Sequence, residues 1–179
     1  MIVTKFTIAS VSGLITLEQL TVALAREQFS ALLSPAILEK YIAKHFNHKT
    51  LLAEINSMSN QYLVVYVDDQ PAGYARITSK GERPDEIINK RALRIANFGV
   101  LEKYQASPAR ESLLEKCLSV CKKYDAAWIT EFRENPMIGF FKSNGFVSAQ
   151  NELVECDEIF LPSIQLICQI STHEKPGVF

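Results

Sequence analysis

The chain has 179 residues, 47% hydrophobic and 22% charged, with 19 basic side chains against 20 acidic ones and a net charge of −1. That composition predicts one globular domain with a sizeable core, residues 1–170, followed by a polar tail at 171–179, and it excludes long disorder. The balanced charge offers no global field for nucleic acid or an anionic membrane surface, so an anionic ligand has to be held locally.

No apolar run reaches the roughly 18 to 20 residues of a membrane span, and MIVTKFTIASVSG lacks a charged-then-apolar leader pattern, so the expected location is the cytoplasm. The cysteines are Cys117, Cys121, Cys156 and Cys168, and none forms a C-x-x-C pair. They are expected to be reduced and buried, and no metal site is expected, because zinc takes about four ligands at suitable spacing. His45 and His48, three apart near a helix end, have no third ligand and read as surface residues.

In chain order, residues 2–9 alternate enough for a first strand. A helix is expected from Thr16, with Gln19 completing a capping box and Leu17, Leu20 and Leu24 at helical spacing. SPAILEKYIAKHF starts a second helix, with Ser34 as N-cap and Pro35 in the first position, and KTLLAEINSM is compatible with a shorter third. Tyr62 to Val67 and Gly73 to Thr78 form an antiparallel hairpin around Asp68-Asp69-Gln70-Pro71.

KGERPDEIINKR is a polar loop and ALRIANFGV a strand. A helix follows from Pro108, with Leu113, Leu114, Cys117, Leu118, Cys121 and Tyr124 on one stripe. AAWITEF is a strand, NPMIGFFKSNGF a short helix closing at Gly145, and EIFLPSIQLICQI a last apolar strand that offers an edge for self-association into a homodimer. This order predicts an α/β (α+β) fold: a mixed, mostly antiparallel central sheet of about six to seven strands with helices on both faces.

The strand-to-helix junction QASPAR is where an anion would gain both unpaired helix N–H groups and the helix dipole. Ser107 is the expected N-cap and Pro108 the first helical residue, a combination that also starts many helices that bind nothing. Glu131, a carboxylate in an otherwise apolar strand, either faces solvent at the strand end or is buried with a raised pKa.

Read together, FGVLEKYQASPARESLLEKCL and AAWITEFRENPMIGFFKSNGF resemble the GCN5-related N-acetyltransferases (GNATs), acetyl-CoA-dependent acyltransferases. Phe98, Gly99, Val100 and Gln105 match the first motif, and Trp128, Asn135, Phe140, Gly145 and Phe146 the second; the resemblance extends over roughly residues 1 to 170. It implies that acetyl-CoA lies in a wedge between the two splayed parallel strands, its pantetheine amides pairing with the Phe98-Gly99-Val100 edge and with Asn135. The pyrophosphate would then rest on Gln105, Ala106, Ser107, Ala109 and Arg110. The implied reaction is direct acetyl transfer to a primary amine of a small molecule or peptide, with Glu131 as candidate base and Glu102 and Glu134 as lesser alternatives.

Two departures accompany the matches. Pro108 and Arg110 stand at the small positions of the family's phosphate turn, where proline has no N–H to give and the arginine either obstructs the phosphate or donates to it. Phe141 stands where the family carries a tyrosine that protonates the leaving thiolate; it retains the ring against the cofactor but has no hydroxyl. A degenerate, non-catalytic member that binds CoA or another ligand is the alternative. Glu82, Asp85 and Glu86 suit either a cationic acceptor or a solvated loop, and the acceptor itself is not encoded in any diagnostic pattern.

Overall fold

The computed structural model describes residues 1–149, 154–155 and 161–170. Cys156, residues 158–160 of the expected last strand and the expected tail 171–179 lie outside them.

Strand β1 (Ile2–Thr7) leads into helix α1 (Val11–Phe29), which starts well before Thr16 because the Ser10 Oγ accepts from the Gly13 N–H at 3.1 Å. The Thr16–Gln19 pair is therefore inside the helix, where a capping box has no orphan amides to satisfy. Helix α2 (Pro35–His45) starts on Ser34 and Pro35 as expected, and α3 (His48–Ile55) is capped by Asn47, whose Oδ1 accepts from the Thr50 N–H at 2.9 Å.

Strands β2 (Asn60–Val67) and β3 (Gln70–Thr78) are joined by Asp68 and Asp69 alone, at φ 47° and 61°. Both residues are left-handed, as a two-residue hairpin of this twist requires and as aspartate tolerates, so Gln70 and Pro71 belong to β3 rather than to the turn. Then come β4 (Ala92–Val100), α4 (Ala109–Val120), β5 (Ala126–Phe132), α5 (Met137–Ser143), the two-residue strands β6 (Val147–Ser148) and β7 (Val154–Glu155), and β8 (Pro162–Gln169). Gly145, at φ 87°, occupies the left-handed position expected after α5.

The sheet order is β1-β2-β3-β4-β5-β8-β6, with β7 also on β8. Strands β4 and β5 are parallel, while β1–β2, β5–β8, β6–β8 and β7–β8 are antiparallel, giving the mixed, mostly antiparallel sheet expected. Strand β8 is not a free edge: β5 pairs along one side, and β6 and β7 occupy the other, so the self-association edge expected there is already covered.

The chain divides into two compact units, Met1–Ile77 with Asn97–Cys117, and Thr78–Ala96 with the described residues from Leu118 onward. In the first unit, Leu14, Leu17, Leu20 and Leu24 of α1 and Leu51 of α3 pack with Tyr62, Val64 and Tyr74 of the sheet. Leu63 and Val65 point the other way and are fully buried. On that side the Thr4 hydroxyl, in register with Val65, meets the Ser112 hydroxyl of α4 at 2.8 Å, so this unit carries helices on both faces of its strands. Gly73 is obligatory here, because a Cβ on it would come within 2.3 Å of the Gly99 carbonyl oxygen.

In the second unit, Ile87, Ala92, Ala126, Trp128, Ala149 and Ile167 form one buried cluster. The opposite face of β5 carries Ala127, Ile129 and Glu131, in register with Cys168, Leu166 and Ile164 of β8. Cys117, Cys121 and Cys168 are buried, and burial pushes the Cys121 thiol up to about 12, which leaves it unreactive near neutral pH.

Candidate active site

The sequence-nominated residues fall into both units. Phe98, Gly99, Val100, Gln105, Ala106, Ser107, Ala109 and Arg110 belong to the first, and Glu131, Asn135 and Phe141 to the second.

In the first unit, Phe98, Gly99 and Val100 are buried. A Cβ on Gly99 would come within 3.1 Å of the Gln28 side-chain nitrogen and of Leu24, so helix α1 closes over this strand end. The chain then makes a single 3-10 turn, Glu102–Tyr104, and a further turn before α4. The Gln105 N–H donates to the Glu102 carbonyl and the Ser107 N–H to the Tyr104 carbonyl, each at 3.0 Å. The Ser107 hydroxyl also donates to the Tyr104 carbonyl, at 2.7 Å.

The helix begins one residue later than expected: the Pro108 carbonyl accepts its first bond, from the Ser112 N–H at 3.1 Å, which gives Pro108 the N-cap place assigned to Ser107. Proline suits it, since a cap contributes its carbonyl and not its N–H. What this turn offers an anion is the start of α4 and the Arg110 guanidinium, whose Nη2 lies 3.7 Å from the Glu111 carboxylate, a long contact. Gln105 and Ala106 are exposed and Ala109 is buried.

In the second unit, every β5 residue is buried except Glu131, which is half-buried. Desolvation pushes its carboxyl up to about 8, against the opposing pull of a hydrogen bond from Asn135 and of the Arg94 charge. Asn135, only 6% exposed, works in two directions: its Nδ2 donates to Glu131 Oε2 at 2.5 Å, and its Oδ1 accepts from the Met137 N–H at 2.8 Å at the start of α5. Phe141 is fully buried with its ring against Phe140 and Phe146. Glu102 and Glu134 are exposed.

Sequence reading missed the group around Arg94. Its guanidinium lies 5.0 Å over the Trp128 ring, and its Nε is buried without a hydrogen-bond partner among the described residues. Gly81, at φ 116°, closes this pair, since a Cβ there would stand 3.0 Å from Arg94 Nη1 and 3.1 Å from the Trp128 ring. The neighbouring Glu82 carbonyl accepts from the Gln165 amide at 3.4 Å. The available signal was the same one that singled out Glu131, a charged residue inside an apolar strand.

The parallel pairing that opens this unit covers three residue pairs, Ala92–Ala126, Leu93–Ala127 and Arg94–Trp128. That short parallel junction, with a helix after each strand and an antiparallel return on β8, has many solved counterparts. PaiA N-acetyltransferase from Thermoplasma acidophilum, solved in complex with coenzyme A, is similar at a TM-score of 0.74 and 15% identity, over 94% of this chain and 99% of that one. The fold is that of the GCN5-related N-acetyltransferases. The GNAT fold is also shared with a GCN5-related N-acetyltransferase from Rhodopseudomonas palustris, at a TM-score of 0.66 and 14% identity over 93% of this chain and 94% of that one. It extends to the ribosomal-protein-S18-alanine N-acetyltransferase of Escherichia coli, at 0.67 and 14% over the whole of both chains. No family model matches the sequence.

Among the described residues, no group of three or more His, Cys, Asp or Glu is placed to hold a metal ion, and no helix is long and apolar enough to cross a membrane. His48 Nδ1 pairs instead with the Glu18 carboxylate at 2.6 Å.

Proposed function

We propose that the protein is an acetyl-CoA-dependent N-acetyltransferase that moves the acetyl group directly to a primary amine, with Glu131 as general base. The observation that carries this reading is the state of Glu131: a half-buried carboxylate on a GNAT-fold strand, raised to about 8 and held by Asn135. A base with that pKa is poised near neutral pH and matched to an alkyl ammonium better than an ordinary carboxylate.

In the proposed reaction the amine is delivered unprotonated, its proton passing to the Glu131 carboxylate. Its lone pair attacks the thioester carbonyl, the new C–N bond forms, the nitrogen gives up its second proton to water, the C–S bond breaks and CoA leaves as thiolate. A main-chain N–H of β4 polarises the carbonyl oxygen, and holding both substrates together supplies the entropic part of the acceleration. Phe141 contributes packing and no proton, so the thiolate is protonated by solvent.

The start of α4 suits an anionic cofactor terminus in one respect and resists it in another. Arg110 and the dipole are favourable, while the Gln105 and Ser107 amides already serve carbonyls of their own turn. That spending of donors, with the buried and hydroxyl-free Phe141, supports the second reading, a GNAT-fold protein that binds CoA without turnover. Release of free CoA thiol across a panel of primary amines separates the two: amine-dependent release lost in E131Q supports transfer, and acetyl-CoA binding without release under any amine supports the binder.

A further inference from the structure

The second unit contains a pocket that the acetyl-transfer reading does not use. It lies at the Ala92 end of β4, has a volume of about 370 Å³, and is lined by Ser79, Arg83, Asn89, Lys90, Arg91 and Tyr124 among others. On β5, Glu131 stands five positions beyond Ala126, the register partner of Ala92, or about 16 Å along the strand at 3.3 Å per residue.

Among the described lining residues three side chains are cations and none is a carboxylate. Their placement is built rather than incidental. Arg83 Nη1 donates to the Lys90 carbonyl at 2.8 Å, which folds the 79–91 loop back on itself. Lys90 Nζ is held by the Gln169 side-chain oxygen at 2.8 Å. Arg91 Nη2 pairs with Asp125 at 3.2 Å, and Arg91, with help from the Lys90 charge, holds the Asp125 carboxyl below the usual range. Asp125 offsets one of the three positive charges, leaving an excess of two among the described lining side chains.

An arginine has five N–H donors, and one on Arg83 is used among the described residues. Ser79 and Asn89 add neutral donors, while Tyr124 and Ile88 supply an aromatic and an apolar wall. We propose that this pocket binds a small phosphate monoester with a planar or apolar body: a dianion to match the two excess charges, arginine for its oxygens, and Tyr124 for the body. A simple carboxylate would satisfy half the charge and leave the walls bare.

The test is calorimetric titration of the full chain with phenyl phosphate, inorganic phosphate and phenol, on the wild type and on R83Q, K90Q and K49Q. Lys49 is an exposed lysine of α3 and controls for net charge. The expected result is saturable binding of phenyl phosphate, weaker binding of inorganic phosphate and none of phenol, with affinity reduced at least about tenfold in R83Q and K90Q and unchanged in K49Q. No saturable phenyl phosphate binding, or equal binding in all four proteins, overturns the proposal; the latter places the anion elsewhere, including at the acetyl-CoA site. Should R83Q fail to fold because its loop bond is lost, K90Q decides alone, since among the described residues the Lys90 ammonium bonds to the exposed Gln169 side chain and K90Q leaves the Lys90 carbonyl in place. None of these outcomes depends on acetyl transfer.

Discussion

Asn135 donates its side-chain amide to Glu131 from four residues further along the chain, while its amide oxygen caps α5. One side chain thus ties the candidate base to the helix that follows it. Because this hydrogen bond favours the charged carboxylate, it works against the desolvation that raises Glu131.

The first prediction concerns rate against pH. With ionised Glu131 as base, kcat/KM rises with pH and levels off above about 8. E131Q lowers it by about 10²- to 10⁴-fold, the usual contribution of a general base, and removes that limb. N135A removes the bond that lowers the pKa, so its limb moves to higher pH. A profile flat from pH 6 to 9 in the wild type would exclude Glu131 from proton transfer.

The same carboxyl predicts a stability trend. Below about pH 4.5 it is protonated in both folded and unfolded chains and costs nothing. Between about 4.5 and 8 the unfolded chain releases the proton and the folded one retains it, so stability falls as pH rises and the loss is complete above about 8. E131Q lacks this loss and is expected to exceed the wild type at pH 9 by on the order of 1 to 3 kcal/mol, after discounting for partial exposure. Denaturant melts at pH 5 and pH 9 measure the difference.

Arg110 is predicted to donate to the pyrophosphate. R110A should weaken acetyl-CoA binding by about tenfold or more, corresponding to one charge-assisted hydrogen bond of roughly 1.5 to 3 kcal/mol. Tighter binding by R110A, measured by calorimetry, would mean that the side chain fills the space instead.

Gly73 provides a check on the fold itself. In G73A the new Cβ would meet the Gly99 carbonyl oxygen at 2.3 Å, backbone against backbone with no flexible side chain to yield. A loss of about 2 to 4 kcal/mol is expected from urea unfolding, whereas Gly139, whose Cβ would meet nothing within 4 Å, should accept alanine readily.

Periodicity and turn chemistry made most of the architecture legible: the Ser34-Pro35 helix start and Gly145 stand where the residues placed them, and β2 and β3 form the expected hairpin with its turn tightened to Asp68 and Asp69. What failed was local ambiguity. Thr16 and Gln19 form a fair capping box, but Ser10 captures the Gly13 N–H and extends α1 through a glycine that propensity disfavours. Strands β6 and β7 are two residues each, too short for any period to register. Glu131 was visible as an anomaly in an apolar strand, but its bond to Asn135 was not, because Asn135 matched the family motif as a ligand contact rather than as a helix cap. The Gly81–Arg94–Trp128 group depends on a loop folding over a strand, a tertiary contact that no local pattern carries.

The most direct test of the central claim is thermal unfolding with and without acetyl-CoA. At about 100 times its Kd the ligand adds roughly 2.7 kcal/mol, so Tm should rise by about 5 to 10 °C for a chain of this size. No change in Tm at millimolar acetyl-CoA would contradict both the acetyltransferase and the CoA-binder readings.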